Sequence, residues 1–250
     1  MKKADIFCIE ETTSTNQLLW QLATEKNLPE GTVVHTYFQT NGRGQGSNTW
    51  ESEKGKNLLF SMLLFPKNIA ITQQFLLSEI VALAIKDVLQ KELNRTVKIK
   101  WPNDIYVEDK KIAGILIENK VMGNKFSSSV IGIGLNVNQT HFFSNAPNPI
   151  SMKLLSNNNF NIEEIMVTIH SRILEYYESI GFDARTLQES YFNSLYRNDD
   201  FYAYKNCKGE LFIAKITQVL PSGQLVLVDS NNNTHTYSFK EVEFIIEKNI

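Results

Sequence analysis

A turn stiffened by proline, set between short apolar strands, constrains the fold of this chain more than any other segment. Residues 100–104 read Lys-Trp-Pro-Asn-Asp, and residues 111–114 read Lys-Ile-Ala-Gly. Pro102 has no backbone N–H to give to a sheet, so it ends the strand before it and turns the chain. The residues that follow predict two strands, 105–108 and 112–119, joined by a tight hairpin. Two lysines, an amide and a carboxylate are therefore expected at one end of a sheet.

The other apolar patterns predict a mixed sheet backed by helices, which is an α+β fold. The remaining strands are predicted at 6–10, 32–39, 57–65, 97–100 and 128–138, and helices are predicted after Ser14 or Thr15, at 72–93, at 162–180 and at 184–195. Segments 40–56 and 140–161 are predicted as loops, because they are rich in Gly, Asn, Ser and Pro. From residue 201 onward, short strands and Gly or Asn turns predict a small all-β barrel. We expect one domain over 1–200 and a second over 201–250.

Composition excludes several classes of protein. The chain has 250 residues and a net charge of −2, which provides no basic footprint for nucleic acid or an anionic membrane. Its first residues lack the apolar core of a signal peptide, and no apolar run is long enough to span a bilayer. Cys8 and Cys207 are isolated and are expected to be reduced, mostly buried thiols of a cytoplasmic protein. The four histidines show no spacing typical of metal ligands.

Two polar segments are candidates for ligand binding. Residues 13–16, Thr-Ser-Thr-Asn, open a helix whose free N–H groups and hydroxyls can hold a polar group, although an ordinary N-cap explains them equally well. Residues 39–46, Gln-Thr-Asn-Gly-Arg-Gly-Gln-Gly, place an arginine between glycines and are followed by Trp50. Such a loop lets the backbone approach an anion and lets the guanidinium bind it, but it also suits a mobile surface connection.

The turn itself carries the strongest chemical signal. Lys100 and Lys111 supply cations around Asp104, which is able to ligate Mg²⁺, accept a proton or simply cap the turn. Cations and a carboxylate at one spot are what a site requires to join a carboxylate to a nucleotide phosphate. Gly132 and Gly134, within a predicted strand, indicate close approach by a flat group, or alternatively a bulge in a core strand.

Taken in order, these motifs resemble those of the biotin–protein ligases. The resemblance rests on residues 14–16, 39–44, 100–104, 111–114 and 132–136 and extends over about residues 5 to 200. It implies the catalytic fold related to class II aminoacyl-tRNA synthetases, followed by a small C-terminal SH3-like β-barrel. It further implies two steps: biotin and MgATP form biotinyl-5′-AMP, and an acceptor lysine then takes the biotinyl group and releases AMP.

The resemblance also assigns roles to individual residues. Lys111, Arg43 and Asp104 are the implied catalytic residues, with Asp104 a candidate ligand of Mg²⁺ and a candidate acceptor of the substrate lysine's proton. The residues implied for biotin are Ser14, Thr15, Asn16, Gln39, Gly42, Arg43, Gly44, Gln45, Lys111, Gly114, Ile115, Gly132 and Ile133. Those implied for ATP are Arg43, Trp50, Lys100, Asn103, Asp104, Lys111 and Asn136.

One departure from the family pattern concerns charge. Many relatives carry further arginines after Gly-Arg-Gly, whereas this chain has Gln45 and continues without charge to Thr49. Neutralisation of phosphate is therefore expected to depend on Arg43, Lys100 and Lys111, with Lys54 or Lys56 as possible compensation.

The resemblance further implies a biotin carboxyl carrier protein or domain as partner, and either a monomer or a homodimer. The first motif begins at Ser14, so we expect the monofunctional type, without a DNA-binding winged helix. A lipoate–protein ligase and a non-catalytic biotin-binding sensor are the alternatives. The polar groups at residues 14–16 and Gln39 favour biotin over lipoate, and the charged set around Asp104 favours an enzyme over a sensor.

Overall fold

The computed structural model describes residues 4–143 and 148–246. The strands are β1 (Ile6–Thr12), β2 (Val33–Gln39), β3 (Leu58–Leu64), β4 (Val97–Lys100), β5 (Asp104–Val107), β6 (Lys110–Met122), β7 (Lys125–Leu135), β8 (Tyr202–Asn206), β9 (Leu211–Val219), β10 (Leu225–Asp229), β11 (Thr234–Tyr237) and β12 (Val242–Phe244). The helices are α1 (Thr15–Glu25), α2 (Leu76–Leu93), α3 (Met152–Ser156) and α4 (Ile162–Asn193), with a short 3-10 turn at Ile71–Gln73.

The first seven strands form a mixed sheet in the order β1-β2-β3-β7-β6-β5-β4. β1 runs parallel to β2, and every other neighbouring pair is antiparallel. Successive side chains of the central strands point to opposite faces of the sheet. Met62 packs with α2 and α4, whereas the adjacent Leu63 packs with α1. Helices therefore cover both faces of the sheet. This architecture confirms the predicted α+β fold, and the apolar β3 is buried along its whole length.

The last five strands form a second antiparallel sheet in the order β11-β10-β9-β8-β12. This is the predicted small all-β unit; β11 and β12 lie at its edges, and no pairing between them closes it within the described residues. Trp101 Nε1 donates a hydrogen bond of 2.8 Å to Gly223 O, which ties the proline turn to this sheet. Tyr204, Leu227 and Phe244 belong to the same hydrophobic cluster as the main sheet. The division at residue 200 into two domains stays a prediction.

Several local predictions were wrong. The helix predicted from residue 72 begins at Leu76, and the two helices predicted at 162–180 and 184–195 are the single helix α4. Gly181 lies inside that helix, where one glycine costs only about 1 kcal/mol and does not break a well-packed helix. The short helix α3 lies in the predicted loop 140–161, where Ser151 caps it by accepting from Leu154 N at 3.2 Å. Residues 144–147 of that loop lie outside the described ranges.

Two further properties bear on the sequence predictions. Both cysteines are free and exposed, so the expected burial was wrong. Cys8 lies on β1, which has no neighbouring strand on its outer side among the residues that the structure describes. Within the described ranges, no helix combines the length and apolar character needed to cross a bilayer.

Candidate functional site

A cavity of about 400 Å³ opens where α1, the loop 40–56, the proline turn and the glycine-bearing strands β6 and β7 meet. The structure brings most of the predicted site residues to its wall. They are Ser14, Thr15, Asn16, Gln39, Arg43, Gly44, Gln45, Trp50, Lys100, Asn103, Asp104, Lys111, Gly114, Ile115, Gly132 and Ile133. Gly42 and Asn136 do not line this cavity. Residues distant in sequence therefore form one site, with a polar end at α1 and a charged end at the proline turn.

The polar end is a hydrogen-bonded cluster at the start of α1. Gln39 Oε1 accepts from Thr15 N at 2.8 Å and from Thr15 Oγ1 at 3.1 Å. Ser61 Oγ lies 2.7 Å from Thr15 Oγ1 and 2.6 Å from Asn16 Oδ1. Ser14 occupies the N-cap position but forms no capping hydrogen bond, so its buried hydroxyl is not used by the helix. Ser14 is therefore the N-cap residue, as predicted, although its side chain does not cap the helix through a hydrogen bond.

Glu118 links the polar end to the glycine loop, a role that sequence analysis missed. Its Oε2 accepts from Asn16 Nδ2 at 2.9 Å, and its Oε1 forms an ion pair of 2.9 Å with Arg43. The guanidinium is thereby held at the cavity wall rather than moving freely in solvent. The contact depends on the position of Glu118 along β6 relative to α1, which no local pattern reveals.

The charged end is built around the proline turn. Lys111 Nζ lies 2.6 Å from Asp104 Oδ1, so the two implied catalytic residues form an ion pair. The Lys100 ammonium lies 5.0 Å from the centre of the Phe244 ring and 5.4 Å from that of Tyr106. Burial lowers the pKa of Lys100, and the neighbouring Asp104 carboxylate opposes that effect. Cations and a carboxylate thus meet in a partly desolvated corner, where electrostatic interactions are stronger than in water.

Trp50 is the flat group that the glycine pattern predicted. A Cβ atom built at Gly134 would lie 2.5 Å from Trp50 Cε2, and one at Gly114 would lie 3.1 Å from Trp50 Cζ3. The indole ring therefore rests on the sheet because these positions carry no side chain. Lys111 Nζ lies 5.6 Å from the centre of this ring. Trp50 therefore contacts the same face of β6 and β7 that the family resemblance implies for binding the apolar part of biotin.

Gly42 and Gly132 have different reasons to lack a side chain. A Cβ at Gly42 would lie 2.5 Å from Trp50 O, so this glycine permits the loop to fold back on itself. Trp50 N donates to Gly42 O at 2.9 Å and fixes that close approach. A Cβ at Gly132 would lie 2.4 Å from Asn16 Oδ1. Gly42 therefore shapes the loop behind the cavity, whereas Gly132 makes room for the polar cluster.

A second cavity, of about 530 Å³, adjoins the charged end. Lys100, Asp104 and Lys111 line both cavities, and Asn136 lines only the second. Asn136 Nδ2 donates to Ile150 O at 3.0 Å, which holds the amide in place. Asn103 is also fixed, because its Nδ2 donates to Ile115 O at 2.8 Å. Lys100, Asp104 and Lys111 therefore lie between the two adjacent cavities.

The C-terminal sheet supplies part of the main cavity wall, which sequence analysis also missed. The contributing residues are Phe239, Lys240, Val242, Glu243 and Phe244. By contrast, Lys54 and Lys56, the suggested compensating cations, are exposed and line neither of the two cavities. No sequence motif marks residues 239–244, because their role follows from how the two sheets pack.

Comparisons with known proteins by sequence and by structure lead to the same family of protein ligases. The sequence model of the biotin/lipoate A/B protein ligase family matches residues 8–136. The chain is 38% identical over 127 residues to the bifunctional ligase/repressor BirA of Bacillus subtilis, covering 51% of this chain and 38% of that protein. It is 43% identical over 114 residues to the chloroplastic biotin–protein ligase 1 of Arabidopsis thaliana, covering 44% and 30%. The matches thus span less than half the length of these curated relatives.

The fold matches a solved structure over nearly all of the chain. The biotin protein ligase of Aquifex aeolicus, in complex with biotin and ATP, superposes with a TM-score of 0.79 and 21% identity, covering 97% of this chain and 99% of that one. At this identity, the match establishes the shared fold. Both sheets are therefore part of the common architecture.

Proposed function

The chain belongs to the biotin/lipoate A/B protein ligase family, and we propose that it attaches biotin to a lysine of a biotin carboxyl carrier protein or domain. The reaction passes through biotinyl-5′-AMP and converts ATP to AMP and pyrophosphate. One observation carries this proposal: a single cavity joins a hydrogen-bonding polar end to a corner holding Lys100, Lys111 and Asp104, and Arg43 lines the same cavity. The similar proteins include a biotin–protein ligase and a biotin protein ligase in complex with biotin and ATP, which supports the choice of substrates.

In this proposal, the first step joins two anions. An oxygen of the biotin carboxylate forms a bond to the α-phosphorus of ATP, the bond from that phosphorus to the bridging oxygen breaks, and pyrophosphate leaves. Lys111 and Arg43 offset the repulsion between carboxylate and phosphate and stabilise the charge on phosphorus. The ion pairs with Asp104 and Glu118 hold both cations in position before the substrates arrive.

Biotin binding uses the polar end and the floor of the cavity. Ser14, Thr15, Asn16 and Gln39 hydrogen-bond the ureido ring, and the clustered contacts of Thr15 with Gln39 support this by fixing their directions. The apolar part of biotin lies on Gly114, Ile115, Gly132 and Ile133, beside Gly42, Gly44 and Gln45 of the loop. Trp50 closes over the adenylate and excludes water that would hydrolyse it. To admit biotin to the glycine floor, the indole of Trp50 has to shift.

ATP occupies the charged end, with Lys100, Asn103 and Asn136 beside it. Mg²⁺ bound with ATP takes most of its ligands from phosphate and water and commonly only one or two carboxylates from the protein. Asp104 meets that modest requirement. The described residues contain no cluster of three or more His, Cys, Asp or Glu side chains. The residues present therefore fit a metal ion that arrives with the nucleotide.

In the second step, the acceptor lysine amine attacks the acyl carbon of the adenylate. A carbon–nitrogen bond forms, the bond from acyl carbon to the phosphate oxygen breaks, and AMP leaves. The amine loses a proton, and Asp104 is the proposed acceptor. Its ion pair with Lys111 places the carboxylate in the same corner as the cation proposed to hold the phosphate.

The proposal is tested by ATP–pyrophosphate exchange with purified protein and Mg²⁺, with biotin, lipoate or neither added. Exchange only with biotin, followed by biotin transfer to a biotin carboxyl carrier domain, is the expected result. Exchange with lipoate would assign the chain to the other branch of the family. Tight biotin binding without any exchange would identify a sensor. The buried polar cluster at residues 14–16 favours biotin, because the ureido ring can form hydrogen bonds with these groups and the apolar lipoate ring cannot.

The setting of the reaction is also part of the proposal. We place the protein in the cytoplasm, as a monomer or homodimer, with no nucleic acid or membrane partner. Size measurement by light scattering at working concentration distinguishes the two oligomeric states.

A further inference from the structure

A further cavity, of about 390 Å³, lies where α2, α4 and the C-terminal sheet meet, and is called the junction cavity below. Its wall includes Glu79 from α2, Glu189 and Tyr191 from α4, and Thr217 and Val219 from β9. None of its lining residues lines either of the two cavities of the proposed reaction. Its volume is close to the 400 Å³ of the main cavity, so it is large enough to hold a small organic molecule.

Two buried side chains at the wall of the junction cavity each have an unpaired oxygen. Glu79 is only 3% exposed and Tyr191 only 1% exposed. Neither Glu79 Oε2 nor the Tyr191 hydroxyl forms a hydrogen bond with any residue that the structure describes. Buried polar atoms of native proteins almost always have a partner, because leaving one unpaired costs stability. The junction cavity therefore offers a carboxylate oxygen and a hydroxyl to a bound molecule.

These two groups lie close together and are held in position by Phe75. The Tyr191 ring packs edge-on against the Phe75 ring, with 5.7 Å between the ring centres. Glu79 N donates to Phe75 O at 3.1 Å. Burial raises the pKa of Tyr191 well above its ordinary value, and the nearby Glu79 carboxylate raises it further. The hydroxyl therefore keeps its proton, and it stands beside the carboxylate without binding it.

The charges around the junction cavity favour a cation as the bound group. Glu79 places a desolvated carboxyl group inside it, and Glu189 adds a carboxylate at its exposed rim. Arg185 is the cation among the lining residues, and it is exposed, so solvent screens its charge more than that of Glu79. The lining residues from β9 carry no titratable group. An ammonium between Glu79 and Tyr191 can donate to both oxygens and stabilise the ionised carboxylate.

We propose that the junction cavity binds a small organic amine in its ammonium form, with Glu79 and Tyr191 as the groups that hold the nitrogen. The apolar part of the amine packs against Phe192, Val219 and Pro221, which line the same cavity. This site goes beyond the proposed function, because it shares no residue with the cavities assigned to biotin and ATP. The chemistry recognised is a single positive charge on a short apolar body.

Titration of the whole chain with butylammonium chloride tests the proposal, with ligand-observed NMR giving the dissociation constant at constant ionic strength. Butanol and sodium butyrate are probes of similar size whose head groups are neutral and negative. The ammonium is expected to bind about tenfold more tightly than either, because a charge-assisted hydrogen bond to Glu79 is available to it alone. Glu79→Gln keeps the size of the side chain and should weaken ammonium binding about tenfold. Tyr191→Phe keeps the ring and should weaken it several-fold.

A matched control and a pH series separate binding at Glu79 from general charge effects. Glu189→Gln removes a carboxylate from the exposed rim of the same cavity and should change the affinity less than about twofold. Burial raises the pKa of Glu79 to about 7, so the carboxyl group gains a proton as the pH falls below that value. Butylammonium stays charged throughout, and its affinity should therefore fall about tenfold between pH 8 and pH 6. Glu79→Gln should show no such fall.

Four outcomes overturn the proposal, whether or not the protein proves to be a biotin ligase. Absence of butylammonium binding to the wild type at concentrations up to about 0.1 M means that the cavity holds water only. Equal binding of butanol makes it an apolar pocket, and preferred binding of butyrate that is lost in Arg185→Gln makes it an anion site. Undiminished ammonium binding by folded Glu79→Gln places the amine elsewhere on the molecule.

Discussion

Lys111 lies between a carboxylate and an aromatic ring, and both contacts direct its charge into the cavity. Its ammonium is 2.6 Å from Asp104 and 5.6 Å from the centre of the Trp50 ring. Lys111→Ala removes this cation and leaves the carboxylate facing the phosphates alone. We expect a loss of about 10²- to 10³-fold in biotin-dependent ATP–pyrophosphate exchange, by analogy with removing one group that stabilises transition-state charge.

The neighbouring Lys110 provides a matched control for that measurement. It is exposed, precedes Lys111 on β6, and its side chain belongs to the opposite face of the strand. Lys110→Ala should therefore exchange at the wild-type rate. Near-normal exchange by folded Lys111→Ala would remove Lys111 from the proposed chemistry.

Arg43 is expected to matter for retention of the intermediate more than for its formation. The guanidinium is anchored by Glu118 but is still 40% exposed, so it can follow a ligand into the loop. Arg43→Gly should raise the release of reactive biotinyl-AMP several-fold, because a charge-assisted contact to phosphate is lost. Biotin labelling of lysines on a bystander protein measures that release. Arg95→Ala, which removes a surface arginine outside both cavities, serves as control.

Unchanged bystander labelling by Arg43→Gly, with adenylate formation verified, would contradict this assignment. Glu118→Gln gives an independent check on the anchoring, because it removes the carboxylate that holds Arg43 and leaves the arginine itself in place. An increase in labelling smaller than that of Arg43→Gly is expected there.

At the level of elements, the start of α4 offers a direct stability test. The Asn161 side chain accepts from Glu163 N at 3.1 Å and from Glu164 N at 3.3 Å, and so satisfies two N–H groups at the helix end. Asn161→Ala should lower the free energy of unfolding by about 1 kcal/mol. Asn158→Ala, at an exposed position just before the helix, should change it little. Urea titration with a common slope compares the two, and equal stabilities would contradict the capping role.

Helices and strands whose bounds are marked by neighbouring residues in the sequence were predicted well. Those whose bounds depend on contacts between distant parts of the chain were not. The strand β4 has the predicted bounds, because Pro102 and a short apolar run define it from within. α4 was divided wrongly, since Gly181 lowers the helix propensity of the sequence locally but a single glycine does not have to end a helix. α3 was missed because it has only five residues, between Ser151 and Asn157, and so short a segment shows almost no hydrophobic periodicity.

The same distinction applies to the site. The motif residues were predicted because proline, glycine and charge mark them along the chain. Ser61 was missed, since it reaches the polar cluster only through the register that pairs it with Gly132 across β3 and β7. Glu118 was missed for the same reason, because it meets Asn16 and Arg43 only after distant parts of the chain are brought together.

For the molecule as a whole, one hydrophobic cluster joins the main sheet to the C-terminal sheet. Near this junction lies Glu79 of α2, a carboxyl group only 3% exposed. Burial raises the pKa of Glu79 to about 7 from an ordinary value of 4.5. Between those two pH values the folded protein keeps a proton that the unfolded chain has released. Stability from this group is therefore full below about pH 4.5 and falls as the pH rises towards 7.

Glu79→Gln keeps the shape of the side chain and removes its titration. At pH 8 the variant should be more stable than the wild type by about 1 to 3 kcal/mol, because the wild type then carries a buried charge. At pH 4.5 the two should be nearly equal, so the difference should grow across the interval between them. Urea unfolding at several pH values measures this, with Glu92→Gln, an exposed residue of the same helix, as control. A stability difference that is constant with pH would show that Glu79 is ionised alike in the folded and unfolded chain, and that the core around it is open to water.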